Sequence, residues 1–196
     1  REDWRMVLNS GDKLFELDRP TQASLGDARA RQLEQAVHEA ARTGFQYRYE
    51  SIRVPDDAEQ RAEKGTLLDI LAEFLSSGAA RDMLRAVTGA RDIAFADAQA
   101  TCYRPGDFLT AHDDAVAGKA RRAAYVLGLT PGWRAEWGGL LLFHGKAGRI
   151  DDGFVPAFNS LSLFAVPQDH SVSFVAPFAP VHRYSITGWL RSGPRS

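Results

Sequence analysis

The feature that most constrains this chain is a change of period near residue 93. Before it, apolar residues recur at helical spacing; after it, the sequence breaks into short stretches divided by turn chemistry. Residues 25–43 predict a helix, with Asp27 suited to its start, Leu33, Val37 and Ala40/Ala41 at helical spacing, and Gly44 suited to its end. Residues 67–75 and 79–87 predict two more, broken at Ser76-Ser77-Gly78, and Gly89 closes the helical section. Within this half, residues 45–54 alternate large apolar with polar side chains and predict a strand. Residues 1–22 read as an extended lead-in with a strand at 13–17.

From Ile93 onward strands are expected at 93–103, 108–114, 121–130, 139–144, 160–166, 170–175 and 183–191. Pro105-Gly106, Pro131-Gly132, Gly138-Gly139, Pro167-Gln168-Asp169 and the segment 177–180 separate them. Helices followed by a run of strands argue for an α+β chain with helices packed on a sheet. Strands at this spacing suit a sandwich or barrel. At 196 residues the expectation is a single domain, 1–196, in which 1–92 is mainly helical support and 93–191 the β-core.

A formal net charge of −1 gives no global reason to expect nucleic acid or an anionic membrane as a partner. Cys102 is the single cysteine, so no intrachain disulfide can form and a reducing, cytoplasmic setting is expected. No apolar run approaches a membrane span and no signal-peptide core opens the chain, which begins at Arg1. The charged run 55–64 reads first as a solvated loop or helix face, with a mobile lid over 55–66 as the sharper alternative.

The informative stretch is Tyr103-Arg-Pro-Gly-Asp-Phe-Leu-Thr-Ala-His112-Asp113-Asp114. On an extended strand, alternation would point His112 and Asp114 to one face and Asp113 to the other. An imidazole and a carboxylate side by side supply two-thirds of the facial triad that suits non-haem Fe(II) with open positions. The third ligand must be a second histidine. His144 lies in a glycine-flanked turn pattern and His182 has the opposite parity to Arg183, whereas His170 precedes the alternating Val172 and Phe174; His170 is the best candidate.

The ordered set of Tyr-x-x-Gly-x-x-Leu-x-x-His-x-Asp at 103–114, Arg-Arg-Ala-Ala-Tyr-Val-Leu-Gly-Leu-Thr at 121–130, Trp-Gly-Gly-Leu-Leu-Leu-Phe at 137–143, Asn-Ser-Leu-Ser-Leu-Phe at 159–164, His170, and Arg-Tyr-Ser-Ile-Thr-Gly-Trp at 183–189 covers roughly the C-terminal half. In that order it resembles the 2-oxoglutarate- and Fe(II)-dependent oxygenases, in particular their prolyl 4-hydroxylase-like branch. The resemblance implies a double-stranded β-helix (jelly roll) with N-terminal supporting helices. It also implies Fe(II) on His112, Asp114 and His170, with 2-oxoglutarate as cosubstrate, O2 as oxidant and ascorbate as an aid in keeping iron reduced.

Arg183 would take the distal carboxylate of 2-oxoglutarate, since a guanidinium offers two parallel charge-assisted hydrogen bonds. Tyr103 would reach the same carboxylate, a core aromatic being its plainer reading. Ser185 shares the alternation face of Arg183 and could add a hydroxyl. Arg121 and Arg122 open a strand near the expected substrate entrance, and only one of them can face inward. Gly128 stands where related enzymes often carry a second cosubstrate tyrosine, and the interval from His170 to Arg183 looks extended. Trp133, Trp137 and Trp189 read as packing residues, and Trp4 as either covering a barrel end or exposed.

The implied reaction is hydroxylation of a prolyl residue in a protein or peptide with release of succinate and CO2. The retained carboxylate of Asp114 favours hydroxylation over halogenation. The alternatives are hydroxylation of a free amino acid or other small molecule and, from another class, a non-catalytic metal-binding sensor or scaffold. Repair of alkylated nucleic acid is not expected, since no dense basic stripe is visible.

Overall fold

The structure, a computed structural model, describes residues 3–55 and 57–193. Its N-terminal segment opens with a hairpin, β1 (Arg5–Ser10) and β2 (Lys13–Asp18), joined by a two-residue turn at Gly11-Asp12 in which Gly11 takes φ +56°. Only the second of these strands was legible in the sequence. A short helix α1 (Arg19–Ser24), capped by Asp18, leads into α2 (Gly26–Ala40), and β3 (Tyr47–Arg53) follows.

The charged run is largely helical: α3 (Ala58–Lys64) is capped by Asp57, and Gly65 ends it in the left-handed region. Asp56 of that run lies outside the described residues. The next helix, α4 (Leu67–Leu75), starts on a reciprocal capping box. Thr66 Oγ1 accepts from the Asp69 amide at 3.2 Å and Asp69 Oδ2 accepts from the Thr66 amide at 2.9 Å. After it, α5 (Gly78–Thr88) ends at Gly89 with φ +73°.

The expected strand over 93–103 is two strands, β4 (Ile93–Ala96) and β5 (Gln99–Tyr103). They are followed by β6 (Phe108–His112), β7 (Arg121–Gly128), β8 (Leu141–His144), β9 (Ile150–Phe154), β10 (Leu161–Ala165), β11 (His170–Val172) and β12 (Arg183–Ser192). The sequence did not announce β9, an exposed edge strand with two aspartates and a glycine.

All pairings are antiparallel, in the order β10-β7-β12-β5-β3-β6-β11-β8-β9. The sheet curls until its ends meet: Phe143 of β8 packs edge-on against Phe164 of β10 at 5.1 Å and against Phe154 of β9 at 5.9 Å. This is the double-stranded β-helix that the sequence led us to expect. The N-terminal segment is more than helical support, because β3 sits between β5 and β6 near the middle of the sheet.

The helices cover the sheet from outside. Leu84 of α5 is buried with Ile93, Ala123, Tyr125 and Leu190, and Val37 of α2 with Leu8 and Phe108. Ala72 of α4 meets Val54 and Ala98. Full burial of one such leucine contributes about 2 kcal/mol. Trp4 is buried too, its ring 6.0 Å from that of Tyr184. No described helix is long and apolar enough to cross a membrane.

Candidate metal and cosubstrate site

The inner face of the curl holds a cavity of about 440 Å³, lined among others by His112, Asp114, His170, Tyr103 and Arg183. His112 is the last residue of β6. The sequence argument placed Asp114 on the same strand face, but the strand has ended by then and Asp114 adopts φ +63°. Its carboxylate comes back to His112 through this left-handed step, which aspartate tolerates better than most residues. Asp113 is exposed at the cavity's edge, outside the donor cluster, and accepts from the Ala115 amide at 2.9 Å. Convergence is thus achieved by a turn rather than by alternation.

His170 arrives from the neighbouring strand as the register partner of His112, with ring centroids 4.1 Å apart. His112 Nε2 lies 3.5 Å from Asp114 Oδ1, and His170 Nε2 lies 3.5 Å from Asp114 Oδ2. One donor atom from each of the three falls within 4.8 Å of the others. Each ring's far nitrogen is tied to the backbone two residues earlier: His112 Nδ1 to Thr110 O at 3.0 Å, His170 Nδ1 to Gln168 O at 2.7 Å. A carbonyl can only accept, so both Nδ1 atoms carry the proton and both Nε2 lone pairs face the aspartate.

Electrostatics agree with a metal-ready state. Burial pushes the pKa of His170 down and the adjacent His112 adds to the shift, which favours the neutral, ligating imidazole. Burial alone would raise the Asp114 carboxyl. The hydrogen bond and charge of the His112 ring, which it offers only when protonated, outweigh that together with the Trp189 indole N–H and the charge of a protonated His170, so the carboxyl titrates below its usual range. The Trp189 contribution is a poorly aligned one, since Nε1 has no full hydrogen-bond partner. Two imidazoles and one carboxylate on one side of an open cavity are the donor set of a non-haem Fe(II) site.

Arg183 stands at the start of β12 opposite Tyr103 of β5, fully buried, with its guanidinium carbon 5.0 Å from the tyrosine ring centroid. Its Nε has no hydrogen-bond partner, and no described carboxylate pairs with it. Burial pushes its pKa down with only Tyr103 opposing. Stranding a buried cation costs several kcal/mol unless a counter-charge arrives. A carboxylate ligand in the cavity would supply one.

Beside Tyr103 stands Tyr49 of β3, stacked on it at 5.0 Å and 18°. Burial lifts the Tyr49 phenol to about 12, which keeps it a neutral donor. No side chain fits at Gly128: a Cβ there would lie 2.1 Å from Ala157 O. Gly128 is not on the cavity wall, whereas Tyr47 and Tyr49 of β3 are.

Ser185 is buried, but it does not line the cavity. Its Oγ lies 2.9 Å from Thr101 Oγ1, and Thr101, like Thr187, is on the wall. Of the two arginines, Arg121 faces inward: its Nη1 donates to Asp114 O at 3.0 Å and its guanidinium lies 3.5 Å from the Trp189 ring centroid. Arg122 turns outward and pairs with Asp92 at 2.7 Å, which removes it from the candidate substrate residues. Trp189, read from sequence as packing, lines the cavity. His144 bonds Ser171 Oγ at 2.8 Å away from the cavity, and His182 is exposed.

Tyr49, Thr101 and Trp189 are the residues that sequence reasoning missed. The signal for Tyr49 was present in the aromatic alternation Phe45-x-Tyr47-x-Tyr49, but alternation does not say which face looks inward.

Residues 98–191 match the family described as the 2OG-Fe(II) oxygenase superfamily. Among solved structures the chain is similar to a prolyl-4-hydroxylase from Pseudomonas putida, with TM-score 0.58 and 21% identity over 84% of this chain and 86% of that one. It is also similar to an oxidoreductase of the 2OG-Fe(II) oxygenase family from Burkholderia pseudomallei, with TM-score 0.55 and 14% identity over 91% and 83%. A third is a prolyl hydroxylase from Trichoplax adhaerens in complex with a hypoxia inducible factor oxygen degradation domain peptide fragment, with TM-score 0.54 and 21% identity over 74% and 63%. At these identities the structural likeness is one of fold.

Proposed function

We propose, from the premise that residues 98–191 make this chain a 2-oxoglutarate-dependent dioxygenase of the 2OG-Fe(II) oxygenase superfamily, that it hydroxylates a prolyl residue in a protein or peptide. The family uses Fe(II), 2-oxoglutarate and O2. When bound, these supply the oxidation: 2-oxoglutarate is decarboxylated to succinate and CO2 as a substrate C–H becomes C–OH. The rest is the work of this chain's own residues.

In this reading His112, Asp114 and His170 hold the iron, their Nε2 and carboxylate atoms pre-aimed by the Thr110 and Gln168 carbonyls. Arg183 takes the distal carboxylate of 2-oxoglutarate, with Tyr103 and Tyr49 as phenol donors beside it. Ser185 serves at one remove by fixing the Thr101 hydroxyl. Arg121 fixes the turn that carries Asp114 and, stacked on Trp189, forms the wall facing the substrate. Apolar Leu109, Leu141, Phe164 and Val172 limit water in the cavity.

The observation that carries the reading is the pairing, in one cavity, of a three-donor cluster with a buried guanidinium that lacks a counter-charge. The likeness to prolyl hydroxylase structures, one of them holding a peptide, supports the choice of substrate class. The test is succinate release by Fe(II)-loaded protein given 2-oxoglutarate, O2 and proline-containing peptides, with peptide mass read in parallel. Release that needs iron and is lost in His112→Ala and Arg183→Ala, with a gain of one oxygen on the peptide, is the expected result. Failure to bind iron would sink the reading; oxygen appearing on free amino acids alone would replace the substrate class.

A further inference from the structure

One wall of the cavity shares only Tyr49 with the 2-oxoglutarate residues and extends past the iron cluster. Phe45, Tyr47, Tyr49 and Arg53 all line it, and all have the same parity along β3 and the residues just before it. The rings form a continuous ladder. Phe45 and Tyr47 are 5.5 Å apart, Tyr47 and Tyr49 5.8 Å, and Tyr49 stacks on Tyr103 at 5.0 Å. At its outer end Phe45 stands 5.5 Å from the His112 ring, with 48% of its surface exposed. Phe45, Tyr47 and Tyr49 lie outside the stretch 98–191 that matches the oxygenase family.

Length argues for the kind of ligand. At roughly 3.3 Å per residue, the face from Phe45 to Arg53 runs about 26 Å. A single residue spans about 3.8 Å between α-carbons. A free amino acid at the iron would leave most of this wall bare, whereas an extended segment of several residues would cover it. Charge argues for its composition. Arg53 is exposed and its side chain has no ion pair or hydrogen bond among the described residues, so the far end of the wall presents an unneutralised guanidinium.

We propose that the Phe45–Tyr47–Tyr49 ladder running on to Arg53 is the substrate-specificity wall, along which an extended peptide lies with an apolar residue against Phe45 and Tyr47 and an acidic residue at Arg53. The inference rests on the reading of the substrate as a peptide. Its orientation along the wall follows from the two ends being chemically unlike, one aromatic and one cationic.

The test is equilibrium binding without O2, so that it does not depend on turnover. Protein loaded with Fe(II) and 2-oxoglutarate is titrated, by fluorescence anisotropy, into labelled ten-residue peptides with a central proline, leucine on one side and glutamate on the other. Both sequence directions and glutamine counterparts are included. Wild type is expected to bind one direction, with the glutamine version weaker. Phe45→Ala and Tyr47→Ala should each weaken binding by about tenfold, the scale of an aromatic anchor. Arg53→Ala should erase the difference between glutamate and glutamine, and Leu67→Ala on the exposed flank of α4 should bind as wild type.

No binding by wild type, or equal affinity across the β3 variants, would overturn the proposal. Succinate release judges the oxygenase reading separately, so the two can fail independently.

Discussion

Arg183 and Tyr103 are register partners on β12 and β5, and the guanidinium carbon of the first lies 5.0 Å from the ring centroid of the second. The arginine is 2% exposed and no described acid neutralises it. In the proposed reading a residue kept buried at that cost is held for a ligand rather than for the fold. Arg183→Met should therefore leave the melting temperature of ligand-free protein unchanged or higher while weakening 2-oxoglutarate at least about 100-fold, the loss of two charge-assisted hydrogen bonds. Calorimetric titration beside a thermal melt checks both halves; a large destabilisation with cosubstrate affinity intact would contradict the assignment.

Adjacent arginines should behave in opposite ways. Arg122 is a surface residue paired with Asp92, and exposed pairs of this kind contribute about 0–1 kcal/mol. Arg121 holds the Asp114 carbonyl and stacks on Trp189. Arg121→Ala should lower iron occupancy and turnover about tenfold or more, and Arg122→Ala should alter neither by more than about twofold. Metal analysis after dialysis, with succinate release alongside, separates them.

Acid should destabilise the metal-free protein in two windows. Burial, reinforced by His112, lowers the pKa of His170 in the fold from its ordinary 6.5. As pH falls below that value the unfolded chain takes up the proton first, so stability present above it is lost toward the folded pKa. Asp114 is an acid with a lowered pKa; its contribution is present above 3.8 and is lost as pH falls through its folded value. Between about pH 7.5 and about pH 5.5 only the first window is open. Melting temperature should fall across it in wild type and fall less in His170→Gln, as thermal melts in chelator would show; equal slopes would count against a buried neutral His170.

Gly128 is where the chain has no room. Its amide donates to Ser160 O and its carbonyl accepts from Asn159, both at 2.9 Å, and an added Cβ would meet Ala157 O at 2.1 Å. Gly128→Ala should cost about 1–3 kcal/mol, a fall in melting temperature of about 3–10 °C, with 2-oxoglutarate affinity retained. A loss of affinity without loss of stability would return this position to the cosubstrate pocket.

Much of this was written locally. The turn from helical to strand period near residue 93, the boundaries of α4 and α5, and the glycine that ends α5 are short-range signals, and the sequence carried them. His112, Asp114, His170 and Arg183 could be singled out as candidates because few residue types can ligate iron or grip a carboxylate, and they came in a telling order. Parity within one strand was as far as alternation reached. It did not foresee that β6 would stop at His112 and leave Asp114 to return through a left-handed step. Nor could it choose between Arg121 and Arg122, or see that Ser185 is separated from the cavity by Thr101.

The tertiary structure decided those points, along with the insertion of β3 between β5 and β6 that stacks Tyr49 on Tyr103. Glu50 and Cys102 pair across 52 positions of sequence, and nothing in either segment names its partner. Which donors the chain owns is a property of residue type and spacing. Which of them meet is set by non-local strand pairing and by the curl of the sheet, whose outcome depends on all the strands together.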